Sequence, residues 1–310
     1  MMKIRVLIAV NLVLLQASIL SAQETGFEEI GSRLFEKDNI STDEVEFSSS
    51  MSTSQKEIFF ARSSDKWGQG KMKSFIYTSV KHKGKWSEPK LAEFSGVYDD
   101  SDPHITKDGN SIYFISSRPS KDVGTSADIW VVERQDNGSW GESYRLKEPI
   151  NSMAAEYSPR TDNYGNLYFA SNRLGGFGQG DLYIAKQLNG QFVQPINLGN
   201  TINSKFGEWN LEVNGKGDLI IFEASQKIEN LSPYGDLYIS FNNGRTWSEP
   251  LNISELNTTG SDLYPNLVNN DSLLYYTSSL TPESIDTDIY RIDFTELMNK
   301  YRRLAIYKND

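Results

Sequence analysis

The chain has no cysteine in 310 residues. That removes disulfides, thiolate metal sites, iron–sulfur clusters, cysteine nucleophiles and a lipid-anchored amino terminus. Histidine is nearly as scarce: His82 and His104 leave little room for an imidazole metal centre or a Ser-His-Asp triad. Positive charge is in deficit, with 31 Lys+Arg against 41 Asp+Glu and a net charge of −10. A chain of that sign lacks the basic face that phosphate binding needs, which argues against nucleic acid as a partner. Beyond the amino terminus there is no apolar run long enough to cross a bilayer. What is plentiful is core material: 15 Phe, 16 Tyr and 6 Trp.

Lys3 and Arg5 form a basic start, Val6 to Leu15 is apolar apart from Asn11, and Ala17 to Ala22 is rich in small residues. This order reads as a signal peptide over residues 1–22, cut after Ala22. The apolar run is short for a membrane anchor and is broken by Asn11 and Gln16. The mature chain is therefore expected in the periplasm or outside the cell. Lacking staples, it must draw its stability from its core.

Five copies of one unit fill the remainder. Ile58-Phe59-Phe60, Ile112-Tyr113-Phe114, Leu167-Tyr168-Phe169, Ile220-Ile221-Phe222 and Leu274-Tyr275-Tyr276 recur at steps of 54, 55, 53 and 54 residues. A second signal follows: Asp128-Ile129-Trp130, Asp181-Leu182-Tyr183, Asp236-Leu237-Tyr238 and Asp288-Ile289-Tyr290. Short runs rich in aromatic and β-branched residues, punctuated by Gly, Asn, Asp and Pro, are strands. In the third copy they fall at 157–160, 166–171, 181–186 and 192–198. Four antiparallel strands per repeat of this length is a propeller blade, which must pack on its neighbours to bury both faces. The expected fold is an all-β propeller forming one domain, 23–310, with repeats near 46–99, 100–155, 156–207, 208–261 and 262–294.

The run Asp-x-x-Pro, Asn/Asp-Gly, Ile/Leu-Tyr-Phe, Ser-x-Arg, Gly-rich turn and Asp-Leu/Ile-Tyr resembles the TolB-like (WD-like) β-propeller repeat of bacterial envelope proteins. It is carried by Asp100-Ser101-Asp102-Pro103 through Trp130 and by Glu156-Tyr157-Ser158-Pro159 through Tyr183. Copies one and four lack the Ser-x-Arg and the Pro. The resemblance implies an exported propeller that binds a protein or glycan of the envelope.

Closure follows from the termini. Ile150-Asn151-Ser152, Ile202-Asn203-Ser204 and Leu256-Asn257-Thr258 each precede an inner-strand acid, and Ile40-Ser41-Thr42 repeats that frame before Glu46. Residues 32–37 then stand where a fourth strand should be. The fifth copy has none of its own, because Phe294, Leu297, Met298 and Tyr301 follow helical spacing over 294–305. Five blades zipped by the amino-terminal strand are expected, so deleting residues 24–39 should abolish cooperative unfolding. Six blades, with 301–308 as an extra strand, is the alternative.

Three local motifs read as structural. Ser240-Phe241-Asn242-Asn243-Gly244-Arg245-Thr246-Trp247 resembles the Asp-box hairpin of sialidases, a turn remote from their chemistry. Leu174 to Gly180 is Gly-rich but lacks the helix and lysine of a phosphate loop. Arg118 with Asp128, and Arg173 with Asp181, are expected to be intrablade ion pairs.

Candidate binding residues are acidic. Glu46, Asp100, Glu156, Glu208 and Asp262 each open an innermost strand, so the fold should gather them at one end of the central channel. They read either as a charged funnel for a basic or hydroxyl-rich partner or as hydrogen-bond acceptors repeated with the blade. Asp99, Asp100 and Asp102 are a candidate calcium cluster without EF-hand spacing; otherwise no cofactor is implied. Asp99 and Trp209 mark the expected binding end, and their double replacement by Ala should weaken capture by about 1 to 3 kcal/mol. Nothing in the sequence assigns catalytic residues. The favoured reading is a non-catalytic binding module for a protein or glycan. A carbohydrate-active hydrolase or lyase is the alternative, and uneven carboxyl chemistry at the mouth would mark it.

Overall fold

The computed structural model describes residues 31–67, 69, 72–119 and 127–307. The segment 1–22 expected to be a signal peptide and the first residues of the proposed deletion lie outside the described residues. Among the described residues, four antiparallel sheets of four strands and one of five, that of the first blade, form the blades. Their innermost strands are Val45–Met51, Asp100–Ile105, Glu156–Thr161, Glu208–Val213 and Asp262–Val268. Each contacts the next around the ring, the fifth returning to the first. Expected and observed strands agree in the third copy except at the outside. There the run 192–198 divides into a hairpin arm, Gln191–Phe192, and a two-residue outer strand, Ile196–Asn197.

Closure is made by the amino-terminal strand. Arg33–Leu34 pairs antiparallel with the third strand of blade 5, Arg33 against Arg291 and Leu34 against Tyr290. Phe35 then buries its ring between blades 5 and 1, edge-on to Tyr275 at 5.0 Å and to Trp86 at 5.8 Å. The six-blade alternative fails: Tyr301 lies in a helix, Thr295–Leu304, and packs with Leu297 and Met298 on the core of blades 4 and 5. Each blade interface has its own apolar cluster; Phe59 and Phe114 serve blades 1 and 2, and Tyr168 and Phe222 serve blades 3 and 4. At about 25 cal/mol per Å² of apolar surface, such burial is the main force holding the blades together.

Every innermost strand carries the same defect. Its pairing slips after the residue that follows the repeated acid, and the next residue takes a left-handed φ: Ser48, Asp102, Ser158, Asn210 and Tyr264 lie between 42° and 52°. A bulge re-aims side chains. Here it places unlike residues at equivalent points of the ring, and the site is built from them.

Candidate functional site

The five repeated acids are fully buried and already engaged. Glu46 accepts the amide (3.0 Å) and hydroxyl (2.7 Å) of Thr42. Ser152, Ser204 and Thr258 serve Glu156, Glu208 and Asp262 in the same way, and the hydroxyls of Ser95 and Ser116 serve Asp100. Four of them also meet a cation from the end of the second strand. Arg62, Arg118 and Arg173 reach Glu46, Asp100 and Glu156 at 2.9 to 3.0 Å, and Lys227 reaches Glu208 at 4.0 Å. These cations lie over their own blade's aromatic rings, Arg173 over Phe169 and Tyr183, Lys227 over Phe222 and Tyr238. The arrangement ties hydroxyl, acid, cation and ring into one latch in each of blades 1 to 4. None of the five carboxylates is held out to solvent.

The expected ion pairs are therefore corrected. Arg118 and Arg173 bind the inner-strand acids Asp100 and Glu156. Asp128 pairs with Arg145 of the outer strand at 2.7 Å, and Asp181 is held by Asn197 and the amides of Phe177 and Gly178. Blade 5 has no latch cation, since Leu280 stands at that place. Burial raises Asp262 to about 7.

The candidate calcium cluster is divided among other tasks. Asp99 is exposed and accepts the amide and hydroxyl of Ser74, both at 2.9 Å; Asp102 is buried and accepts the amide of Ser158. No group of three or more metal-ligating side chains occurs among the described residues. Asp99 lines a shallow groove with Tyr98 and Lys73, apart from the main pocket. The Asp-box-like segment is a hairpin closed by the Asn242–Trp247 bridge, with Asn242 capping Gly244.

The middle of the channel is filled by a buried polar network. Arg160 is wholly buried and pairs with Glu212 at 3.0 Å; Asn266 donates to Glu212, and His104 Nε2 accepts the Thr161 amide. Burial and the nearby Arg160 hold His104 well below its ordinary pKa, so its ring is neutral. A polar cavity of about 300 Å³, lined by Lys107, Asn163, Asn214 and Asp271, lies at the end where the inner strands finish.

At the other end, where the inner strands begin, a cavity of about 630 Å³ opens between blades 3, 4, 5 and 1. Trp67, Tyr157, Trp209, Tyr234 and Tyr264 supply its aromatic walls, with Asn210, Ser225, Ser261, Ser279 and Thr287 between them. Trp209 is set by its neighbours. A Cβ on Gly180 or Gly207 would run into the indole, and Tyr157 meets it edge-on at 5.6 Å. Trp67 is tied by its indole N–H to Thr287 at 3.2 Å and leans on Phe47, which also contacts Tyr264. Of the candidate residues named from sequence, Trp209 alone lines this pocket.

Its single acid is Glu223, directly opposite Trp209 in the strand ladder. Glu223 is 8% exposed; its carboxyl lies against Gly235 and accepts from Asn210 Nδ2. Burial, with the nearby Asp236 and Asp262 adding to it, raises Glu223 to about 8. It is thus largely a neutral acid at physiological pH, able to donate as well as accept. A repeat scan passes over this residue because the place is Ala61, Ile115, Ala170 and Thr277 in the other blades. That mismatch was the available signal.

No protein-family model matches the chain, and no curated protein matches it in sequence. Among solved structures it is similar in fold to TolB from Acinetobacter baumannii, with a TM-score of 0.51, 14% identity, and 81% of this chain on 55% of that one. It also resembles α-L-arabinofuranosidase from Lactobacillus brevis (0.52, 12%, 79% on 90%). A thermostable family-43 glycoside hydrolase is similar too (0.54, 12%, 81% on 91%). The chain spans about half the length of TolB. Identities this low establish a shared propeller fold, and fold is not function.

Proposed function

We propose that this is an exported, TolB-like, non-catalytic propeller that binds a glycan of the cell envelope in the pocket around Trp209. The pocket itself carries the reading: aromatic faces for the apolar faces of a sugar, with hydroxyls, an amide and one neutral acid between them to fix orientation. Its volume suits one or two sugar units. The pocket replaces the ring of acids as the place to look for a ligand.

Hydrolysis is the second reading, and Glu223 motivates it, since a carboxyl raised by an apolar pocket is what a general acid needs. A glycosidase also requires a second carboxyl about 5 to 10 Å away. Glu223 is the sole Asp or Glu on the described wall. Calorimetric screening of envelope glycans, run beside a reducing-sugar assay, separates the two. Binding without turnover is expected, and sustained product release abolished by Glu223→Gln would decide for the enzyme. Amino-terminal sequencing of the mature protein should begin at Gln23; an intact amino terminus would remove the export claim.

A further inference from the structure

We infer that the glycan enters this pocket through a protonated amino group, which pairs with the Glu223 carboxylate inside the cage of indole and phenol rings. The inference rests on the glycan reading above and names the class of sugar. Its first support is a charge imbalance. The described wall carries Glu223 and no Lys, Arg or His. Among the described residues, the cations close to the wall in sequence are committed elsewhere: Arg62 to Glu46, Lys66 to Asp286, Arg160 to Glu212 and Lys227 to Glu208. A buried carboxyl with no protein cation is costly when ionised, and a ligand cation placed beside it relieves that cost.

The second support is the surroundings. Asp236, Asp262 and Tyr264 are the titratable groups that interact with Glu223, and the two acids deepen the negative potential. Trp67, Trp209, Tyr157, Tyr234 and Tyr264 line the same space, and aromatic ring faces attract ammonium groups. The third support is that the blade does not need the residue, since Ala, Ile or Thr fills the place in the other four copies. An anionic sugar would meet this carboxyl with no arginine on the described wall to receive it.

The proton balance gives the test. When an ammonium ligand binds, it keeps its proton, and the Glu223 carboxylic acid releases its own to the buffer. Calorimetry at about pH 6, in two buffers of different ionisation enthalpy, compares a chitosan oligosaccharide with its fully N-acetylated counterpart. The amine form should bind about tenfold more tightly and release about one proton. Glu223→Gln, shown folded by its melting curve, should lose both the preference and the release while still binding the acetylated form. Equal or tighter binding of the acetylated form, or proton release that survives in Glu223→Gln, overturns the inference and leaves the glycan reading in place. Binding of neither form by folded wild-type protein overturns both.

Discussion

Glu223 is a single side chain that departs from a fivefold repeat, and its departure has a thermodynamic signature. Its carboxyl titrates near 8 in the folded state against 4.5 in the unfolded chain. Between those values the folded state holds a proton that the unfolded state has released. The stability it contributes is complete below pH 4.5 and is lost as pH rises through 8. Asp262 and Asp288, both raised to about 7 by burial, act in the same direction. Stability measured by urea denaturation should therefore fall from pH 5 to pH 8. Glu223→Gln should flatten that fall and leave the variant about 2 to 4 kcal/mol more stable than wild type at pH 8. An equally steep fall in the variant would refute the assignment. At this scale the sequence was half legible. Trp209 stood out as a large aromatic beside a repeated acid, whereas a search weighted toward recurrence passes over a residue whose meaning lies in not recurring.

The element that recurs is the latch, and its partners could not be read from spacing for a geometric reason. Ser116, in the middle of three strands, stands opposite Asp100 on one side and Asp128 on the other, as Ser171 stands between Glu156 and Asp181. An arginine two residues further on has two acids within sequence reach. Tertiary structure decides, because the outer strand brings Arg145 to Asp128 and frees Arg118 for Asp100. Arg173→Ala should leave Glu156 buried without its cation and cost about 3 kcal/mol, read by urea denaturation, with Arg173→Lys recovering part. A loss below about 0.5 kcal/mol would class the pair with ordinary surface bridges. The closing strand was legible, because the Ile40-Ser41-Thr42 frame fixes where blade 1 begins and so what precedes it. Phe35→Ala removes the ring that joins blades 5 and 1, and should destabilise by about 3 to 4 kcal/mol. If the zip is real, amide exchange in 288–293 should accelerate along with it; unchanged exchange there would contradict this role.

For the whole molecule, the repeat explains the ring and its breaks explain the channel. Five equivalent acids look from sequence like a funnel, yet each turns into its own blade. The channel instead receives the residues after the bulge, which differ in every blade: Ser48 and Ser50, Asp102 and His104, Ser158 and Arg160, Asn210 and Glu212, Tyr264 and Asn266. The bulge was illegible because it leaves no mark on alternation beyond one extra residue. Arg160 and Glu212 lie in the channel between the aromatic pocket and the polar cavity at the far end. Arg160→Ala should be severely destabilising, by about 3 to 5 kcal/mol, and the paired change Arg160→Met with Glu212→Leu milder. A paired variant no better than the single one in thermal denaturation would show that the two side chains do not act as a unit.

That the ligand site is the aromatic pocket, and not the ring of acids or the far cavity, is tested most directly by titrating one envelope glycan into three proteins by calorimetry: wild type, Trp209→Ala and Lys107→Ala. Lys107 lines the far cavity. The predicted result is a loss of about 2 kcal/mol of binding in Trp209→Ala, with its melting temperature retained, and wild-type affinity in Lys107→Ala. Undiminished binding by folded Trp209→Ala, together with lost binding in Lys107→Ala, would contradict it.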